Sequence, residues 1–133
     1  MRNISDKQWI KLMEVGRRYG CHQMPERSFF FGGRQFPLCA RCTGAAVGQT
    51  AAGVAALCGA RLNKKGTLIS LGGCAIMLGD WLVQRAGIKE STNFRRFVTG
   101  ALCGFGLGMI YSEGLIRAYK AIRKVIQSQG ESL

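Results

Sequence analysis

Histidine and catalytic motifs are scarce in this sequence. Its 133 residues include one His, and neither an H-E-x-x-H nor a G-x-S-x-G motif occurs. These absences exclude a zinc centre built on several histidines and the nucleophile elbow of the α/β-hydrolases. The first 20 residues also lack an apolar segment followed by a small-residue cleavage site, so we expect no secretory signal peptide.

Charged residues are missing from long parts of the chain, although its net charge is +12. Residues 42–60 and 97–112 carry no charge, and 67–83 carry only Asp80. A helix of roughly 20 such residues can cross a bilayer. The sequence therefore predicts an all-α integral membrane bundle with about three transmembrane helices at these positions. A soluble helical bundle rich in Ala and Gly is the alternative.

Basic amphipathic segments flank the predicted spans. In residues 5–19, Ser5 and Gln8 resemble a capping box, and Trp9 lies on the apolar face of the predicted helix. Residues 113–128 form a second basic amphipathic segment. Such flanks favour a bilayer with anionic headgroups as the partner, and the uncharged runs argue against nucleic acid. We expect a single membrane domain over 1–133.

Basic residues also predict an orientation. With three spans, one side of the membrane would hold 12 Lys and Arg and the other side 7. The positive-inside rule then places the N-terminus in the cytoplasm of a multi-pass protein of the cell membrane.

Small residues recur at helical spacing in two of the uncharged runs. Such stripes let helices approach closely, in a homo-oligomer or a larger membrane complex of which this chain would be an accessory subunit. The stripes are Gly44, Gly48, Ala52, Ala55 and Gly59 in the first run, and Gly100, Gly104 and Gly108 in the third.

Cysteine and histidine side chains are concentrated between residues 21 and 42. We expect residues 21–41 to form a loop. Cys21, His22, Cys39 and Cys42 match a tetrahedral Zn²⁺ site in composition. Because neighbouring side chains on an extended chain diverge, either Cys21 or His22 can point elsewhere. Cys58, Cys74 and Cys103 lie in apolar runs, where cysteine is usually a small buried hydrophobe.

The same C-x-x-C spacing permits other chemistry. A cytoplasmic location keeps thiols reduced and favours a metal over a disulfide. The start of a helix and Arg41 would also stabilise a thiolate, as a redox or nucleophilic cysteine requires. In that alternative, a membrane thiol enzyme uses Cys39 or Cys42 with His22 as base, and Arg27 or Arg96 holds an anion. Cysteines without a special role are the third interpretation.

Polar residues at the ends of the predicted spans form a second candidate site. A carboxylate at the end of a span is a functional candidate, and the donors of the 84–96 segment could hold a phosphate headgroup. We expect this segment to share a side with the Cys/His loop and to contribute to one polar site. The candidates are Arg27, Ser28, Arg41, Asp80, Gln84, Glu90, Ser91, Asn93 and Arg96.

Two long stretches carry a family resemblance. "CHQMPERSFFFGGRQFPLCARCTG" and "GDWLVQRAGIKESTNFRRFVTGALCGFGLG" resemble the bacterial and archaeal membrane-protein family known as domain of unknown function 2085. The resemblance implies a small multi-span membrane protein and no particular activity. It marks as motif positions Gln23 together with the four Cys/His residues and the nine polar candidates named above.

Overall fold

The computed structural model describes residues 5–130, with side chains described up to residue 127. Of the predicted domain 1–133, residues 1–4 and 131–133 lie outside the described part. The elements are helix α1 (Asp6–Arg18), a short 3₁₀ turn (Pro25–Arg27), strands β1 (Ser28–Phe31) and β2 (Arg34–Cys39), and helices α2 (Ala40–Leu57), α3 (Lys64–Arg85) and α4 (Asn93–Gly130).

Helix α1 begins at a capping box and packs on the strands. The Ser5 side chain accepts from the amide of Gln8, and the Gln8 side chain accepts from the amide of Ser5. On the packed face, the indole Nε1 of Trp9 donates to the carbonyl of Gln35 at 2.9 Å. Gly16 lies directly against the carbonyl of Pro37, where a side chain would not fit. These contacts attach α1 to β2.

The segment predicted as a loop contains an antiparallel hairpin. Phe31 pairs with Arg34 across Gly32 and Gly33, and both glycines have positive φ angles, as a two-residue type I′ turn requires. The fold is therefore not all-α, and this part of the prediction was wrong. Gly-Gly between aromatic runs is itself a hairpin signal, which the expectation of a loop did not use.

Helices α2 and α4 pack backbone to backbone along the glycine stripes. A Cβ added at Gly44 or Gly48 would collide with main-chain atoms of α4, and one at Gly100 or Gly104 would collide with those of α2. The two stripes therefore face each other within one chain. Gly59 is exposed beyond the end of α2 and takes no part in this contact.

Helix α3 covers the other side of α4. Gly106 lies close to the backbone of Ser70, and the sulfur atoms of Cys74 and Cys103 are 3.0 Å apart. The outward face of α3 is apolar and uncovered, with Ile69 exposed over 76% of its surface. Within residues 5–130, α3 alone is long and apolar enough to cross a membrane.

The prediction of three transmembrane helices was wrong. Helix α2 replaces the predicted span 42–60, but its length is made up largely of Ala and Gly. These residues are uncharged without being strongly apolar, so the absence of charge overstated the hydrophobicity of the segment. The multi-pass topology built on these spans is not supported.

The predicted third span continues without a break into the predicted C-terminal amphipathic helix. Residues 97–112 and 113–128 belong to one continuous helix, α4, which has 38 residues. No proline lies between residues 93 and 130, and a change from apolar to basic composition does not by itself end a helix.

Candidate functional site

Three cysteines from separate parts of the chain meet at the start of α2. Cys39 ends β2 and caps α2, Cys42 lies in the first turn of α2, and Cys21 follows α1. Their sulfur atoms all lie within 4.8 Å of one another. The amide of Cys39 also donates to the sulfur of Cys21 at 3.2 Å. We call these residues the cysteine triad.

His22 takes a different position from the cysteine triad. Its side chain is exposed, and its ring nitrogens are not part of the group defined by the 4.8 Å separation. It does line the same cavity as the three cysteines. The structure thus brings together three of the four predicted ligands and leaves the imidazole of His22 outside the cysteine triad.

The cysteine triad favours a single thiolate at Cys39. The hydrogen bond from the Cys42 side chain lowers the pKa of Cys39 to about 5, opposed by burial and assisted by the amides of Cys42 and Arg41 and by Cys21. The same hydrogen bond, with burial and the negative charge on Cys39, raises the pKa of Cys42. A thiolate is therefore favoured at Cys39 over Cys42.

We expect Cys39 of the metal-free protein to react with iodoacetamide at a nearly constant rate between about pH 6 and pH 8. A lowered pKa keeps the thiolate populated as the pH falls, and the reactive form is lost only near pH 5. N-acetylcysteine, with an ordinary thiol pKa of about 8.5, should slow roughly tenfold per pH unit below that value. Peptide mass spectrometry measures the rate at Cys39, and a tenfold fall per unit there would contradict the assignment.

Asp80 is the centre of a buried polar cluster beside the cysteine triad. The residue is 5% exposed, and its carboxylate accepts from Arg41 at 2.7 Å and from Arg95 at 2.8 Å. Gln84, one turn along α3, donates to the same carboxylate at 2.6 Å. This carboxylate therefore connects the beginnings of α2 and α4 to the end of α3.

The network continues from Gln84 to the hairpin. Gln84 accepts from the Nε of Arg96 at 3.1 Å, and Asn93 accepts from another nitrogen of Arg96 at 3.3 Å. Asn93 in turn donates to the carbonyl of Ser28 at 3.1 Å. A chain of hydrogen bonds thus runs from α3 through α4 to β1.

The remaining predicted polar residues differ in how far they are buried. Ser28 is buried, and its hydroxyl donates to the carbonyl of Met24 at 2.8 Å. Ser91 is buried ahead of α4, whereas Glu90 is exposed. Arg27 is exposed at one side and lines the cavity that the cysteine triad also lines.

One cavity of about 260 Å³ joins the cysteine triad to the polar cluster. The cysteines form one part of its wall, and Arg27, Arg41 and Arg96 form another. The cavity therefore combines soft sulfur ligands with fixed positive charge, a set that suits a metal ion, an anion or both.

Sequence reasoning missed several residues that build this region. Arg95 forms an ion pair with Asp80, although only Arg96 of these two adjacent arginines was among the predicted site residues. Gln35 donates to the carbonyl of Gln23 at 2.6 Å and to the hydroxyl of Ser28 at 3.1 Å. The available signal was the pair of adjacent arginines, because on a helix they point in different directions and can serve different partners.

Comparisons with known proteins agree on one family. The family described as "Predicted membrane protein (DUF2085)" matches residues 21–110. An uncharacterized protein of Methanothermobacter thermautotrophicus is 38% identical over 94 residues, which cover 70% of this chain and 85% of the relative. An uncharacterized protein of Methanocaldococcus jannaschii is 37% identical over 91 residues, covering 64% of this chain and 56% of the relative.

No solved structure matches the chain. The matched residues include the cysteine triad, the Asp80 cluster and the arginines of the cavity. The chain therefore belongs to the DUF2085 family of predicted membrane proteins.

Proposed function

We propose that this protein is a membrane protein whose cysteine triad binds one metal ion, Zn²⁺ being the ion expected. The observation that carries the proposal is the meeting of three sulfur atoms within 4.8 Å. Sulfur ligands about 2.3 Å from a tetrahedral zinc ion lie about 3.8 Å apart. A small contraction of the triad would therefore produce the required geometry.

The charge of the triad also suits a metal. A zinc ligand must be a thiolate, and the lowered pKa of Cys39 supplies one near neutral pH. Binding of a divalent cation would release the proton that Cys42 retains. Cys21 is already buried at the same point, so the ion would fix the end of α1 to the start of α2.

His22 is the proposed fourth ligand. Its side chain lines the cavity next to the triad, and its exposure leaves it free to rotate. A site with four protein ligands would be structural, whereas three sulfurs with a water molecule in the fourth position would leave the metal open towards the arginines. The zinc affinity of His22→Ala separates these two forms.

The bilayer is the proposed partner, and the cytoplasm is the proposed location of the triad. The uncovered apolar face of α3 supports the bilayer as partner, since such a face is favourable in lipid.

The proposed cytoplasmic location rests on the need for reduced thiols, and all six cysteines are free in this structure. Because the facing glycines of α2 and α4 are used within the chain, association with other subunits would need another surface.

Elemental analysis of the detergent-purified protein tests the metal site. We expect about one zinc per chain in the wild type and a loss of at least tenfold in Cys39→Ser. Cys58→Ser is the matched control, because Cys58 is exposed beyond α2 and outside the triad. It should retain the wild-type zinc content. Folded wild-type protein that contains no metal and takes up none on addition of zinc would contradict the proposal.

A membrane thiol enzyme is the second candidate function, favoured by the low pKa of Cys39 and by the adjacent arginines. Here Cys39 would be the nucleophile, and His22 would act as base. Alkylation of the purified protein before and after chelation separates the two candidates. A bound metal should protect all three cysteines, whereas an enzyme thiol should react rapidly at Cys39 without chelation.

A further inference from the structure

Arg96 is a buried cation that forms no ion pair with a carboxylate of the described residues. It is 8% exposed, and its hydrogen bonds run to the neutral side chains of Gln84 and Asn93. Glu90 is exposed and forms no ion pair with it. Burial and the nearby charges of Arg27 and Arg41 lower the pKa of Arg96, and the smaller opposing effects of the Asp80 and Glu90 carboxylates do not cancel this. A buried charge is stable only when something compensates it.

Positive charge is in excess around the whole cavity. Arg27, Arg41 and Arg96 line it. The amide of Arg27 donates to the carbonyl of Met24, but its guanidinium forms no ion pair or hydrogen bond with the described residues. Asp80 is shared between Arg41 and Arg95. If the triad held zinc through three thiolates, it would contribute one further negative charge. Two of the four positive charges of these arginines would still lack a partner.

Arg41 supplies a second, independent indication. Its Nε is buried and has no hydrogen-bond partner among the described residues, although its terminal nitrogen pairs with Asp80. A guanidinium donates in a planar fork that matches the oxygens of a phosphate or carboxylate. Arg41 therefore lines the same cavity as Arg27 and Arg96, and carries an unused donor beside two guanidinium groups that lack an ion pair.

We propose that this cavity binds an oxyanion of the phosphate class, held by Arg27, Arg41 and Arg96. A volume of about 260 Å³ has room for a phosphate group with its waters, and lies below the roughly 300–1,000 Å³ of sites for drug-sized ligands. Several guanidinium groups converging on one point are a recurrent arrangement for phosphate recognition. The proposal does not require the metal, so it can stand if the zinc site fails.

The oxyanion can come from two sources, free phosphate or the headgroup of an anionic phospholipid. In the first experimental arm, inorganic phosphate is titrated into zinc-loaded and chelated protein in an uncharged detergent, at constant ionic strength. In the second arm, micelles containing phosphatidylglycerol or phosphatidylcholine are compared, and retained lipid is counted by native mass spectrometry. The zinc content of each sample is measured in parallel, so a failure of the metal proposal is recognised separately.

Arg27→Gln is the principal variant, because Arg27 is exposed and its removal leaves the described contacts intact. We expect it to weaken phosphate binding, or retention of phosphatidylglycerol, at least tenfold, and Arg96→Gln to do the same. Arg117→Gln is the matched control, since it removes the same charge from an exposed ion pair with Glu113 outside the cavity. It should bind within threefold of the wild type.

Three outcomes decide the proposal. Saturable binding of inorganic phosphate that depends on Arg27 supports a free oxyanion. Retention of phosphatidylglycerol over phosphatidylcholine that depends on Arg27, without binding of inorganic phosphate, supports a lipid headgroup. Absence of both, or equal loss in Arg27→Gln and Arg117→Gln, overturns the proposal, because the effect would then be absent or due to net charge alone.

Discussion

Gly48→Ala is expected to destabilise the protein by at least about 2 kcal/mol, whereas Gly53→Ala in the same helix is expected to stabilise it by about 0.5–1 kcal/mol. The added methyl group is the same, and both glycines lie within α2. The two substitutions differ in what the methyl group would meet.

At position 48 the new Cβ would overlap the backbone of α4. Its nearest atoms are the carbonyl oxygen of Ala101 and the amide nitrogen of Phe105, which cannot rotate away as a flexible side chain could. The helices must separate, and the neighbouring close contacts at Gly44 and Gly104 weaken with them. Overpacking of this kind usually costs about 1–3 kcal/mol and occasionally more.

At position 53 no atom beyond the local backbone of α2 lies within 4 Å of an added Cβ. The methyl group therefore contributes only the higher helix propensity of alanine. Equilibrium unfolding in detergent micelles, followed by circular dichroism, measures both changes in free energy. Equal stabilisation by the two substitutions would show that α2 and α4 do not pack through their backbones.

Asp80→Ala is expected to cost about 3 kcal/mol, because it removes the carboxylate on which three elements converge. The Arg41 side chain is only 20% exposed and would lose its only anionic partner among the described residues, while Gln84 would lose an acceptor. Arg95 is about half exposed and can regain water, so most of the cost is assigned to Arg41.

The surface ion pair of Asp6 provides the matched control for Asp80→Ala. Asp6 pairs with Arg34, but its side chain remains 84% exposed. We expect Asp6→Ala to cost less than about 1 kcal/mol, since water compensates both charges. The same unfolding measurement compares the two variants. Similar costs for both would mean that the Asp80 cluster is not the buried junction described here.

Local sequence signals predicted local structure well. The capping box at Ser5 and Gln8 depends on residues three positions apart, and it forms as the spacing indicated. Asp80 and Gln84 lie one turn apart and share a hydrogen bond for the same reason. The family was also identified from sequence alone, because its long motifs are distinctive and match residues 21–110.

The prediction of transmembrane helices was wrong where the absence of charge was taken as a measure of hydrophobicity. Absence of charge selected the Ala- and Gly-rich α2 as a transmembrane helix, but α3 is the helix of the described chain with sufficient length and apolar character. The small residues that lower the hydropathy of α2 are the ones that allow α4 to approach it. The absence of charge in this segment was thus mistaken for apolar character.

The sequence by itself determined which chemical groups the protein possesses: a C-x-x-C with a third cysteine, a carboxylate near the end of α3 and an excess of arginine. Only the tertiary structure decided which of these groups meet. Cys21 reaches Cys39 because a Gly-Gly hairpin returns the chain. Among the described residues Arg96 forms no ion pair, whereas its neighbour Arg95 pairs with Asp80. Contacts of this kind depend on how the helices and strands are placed relative to one another, and the spacing of residues along the chain does not specify that placement.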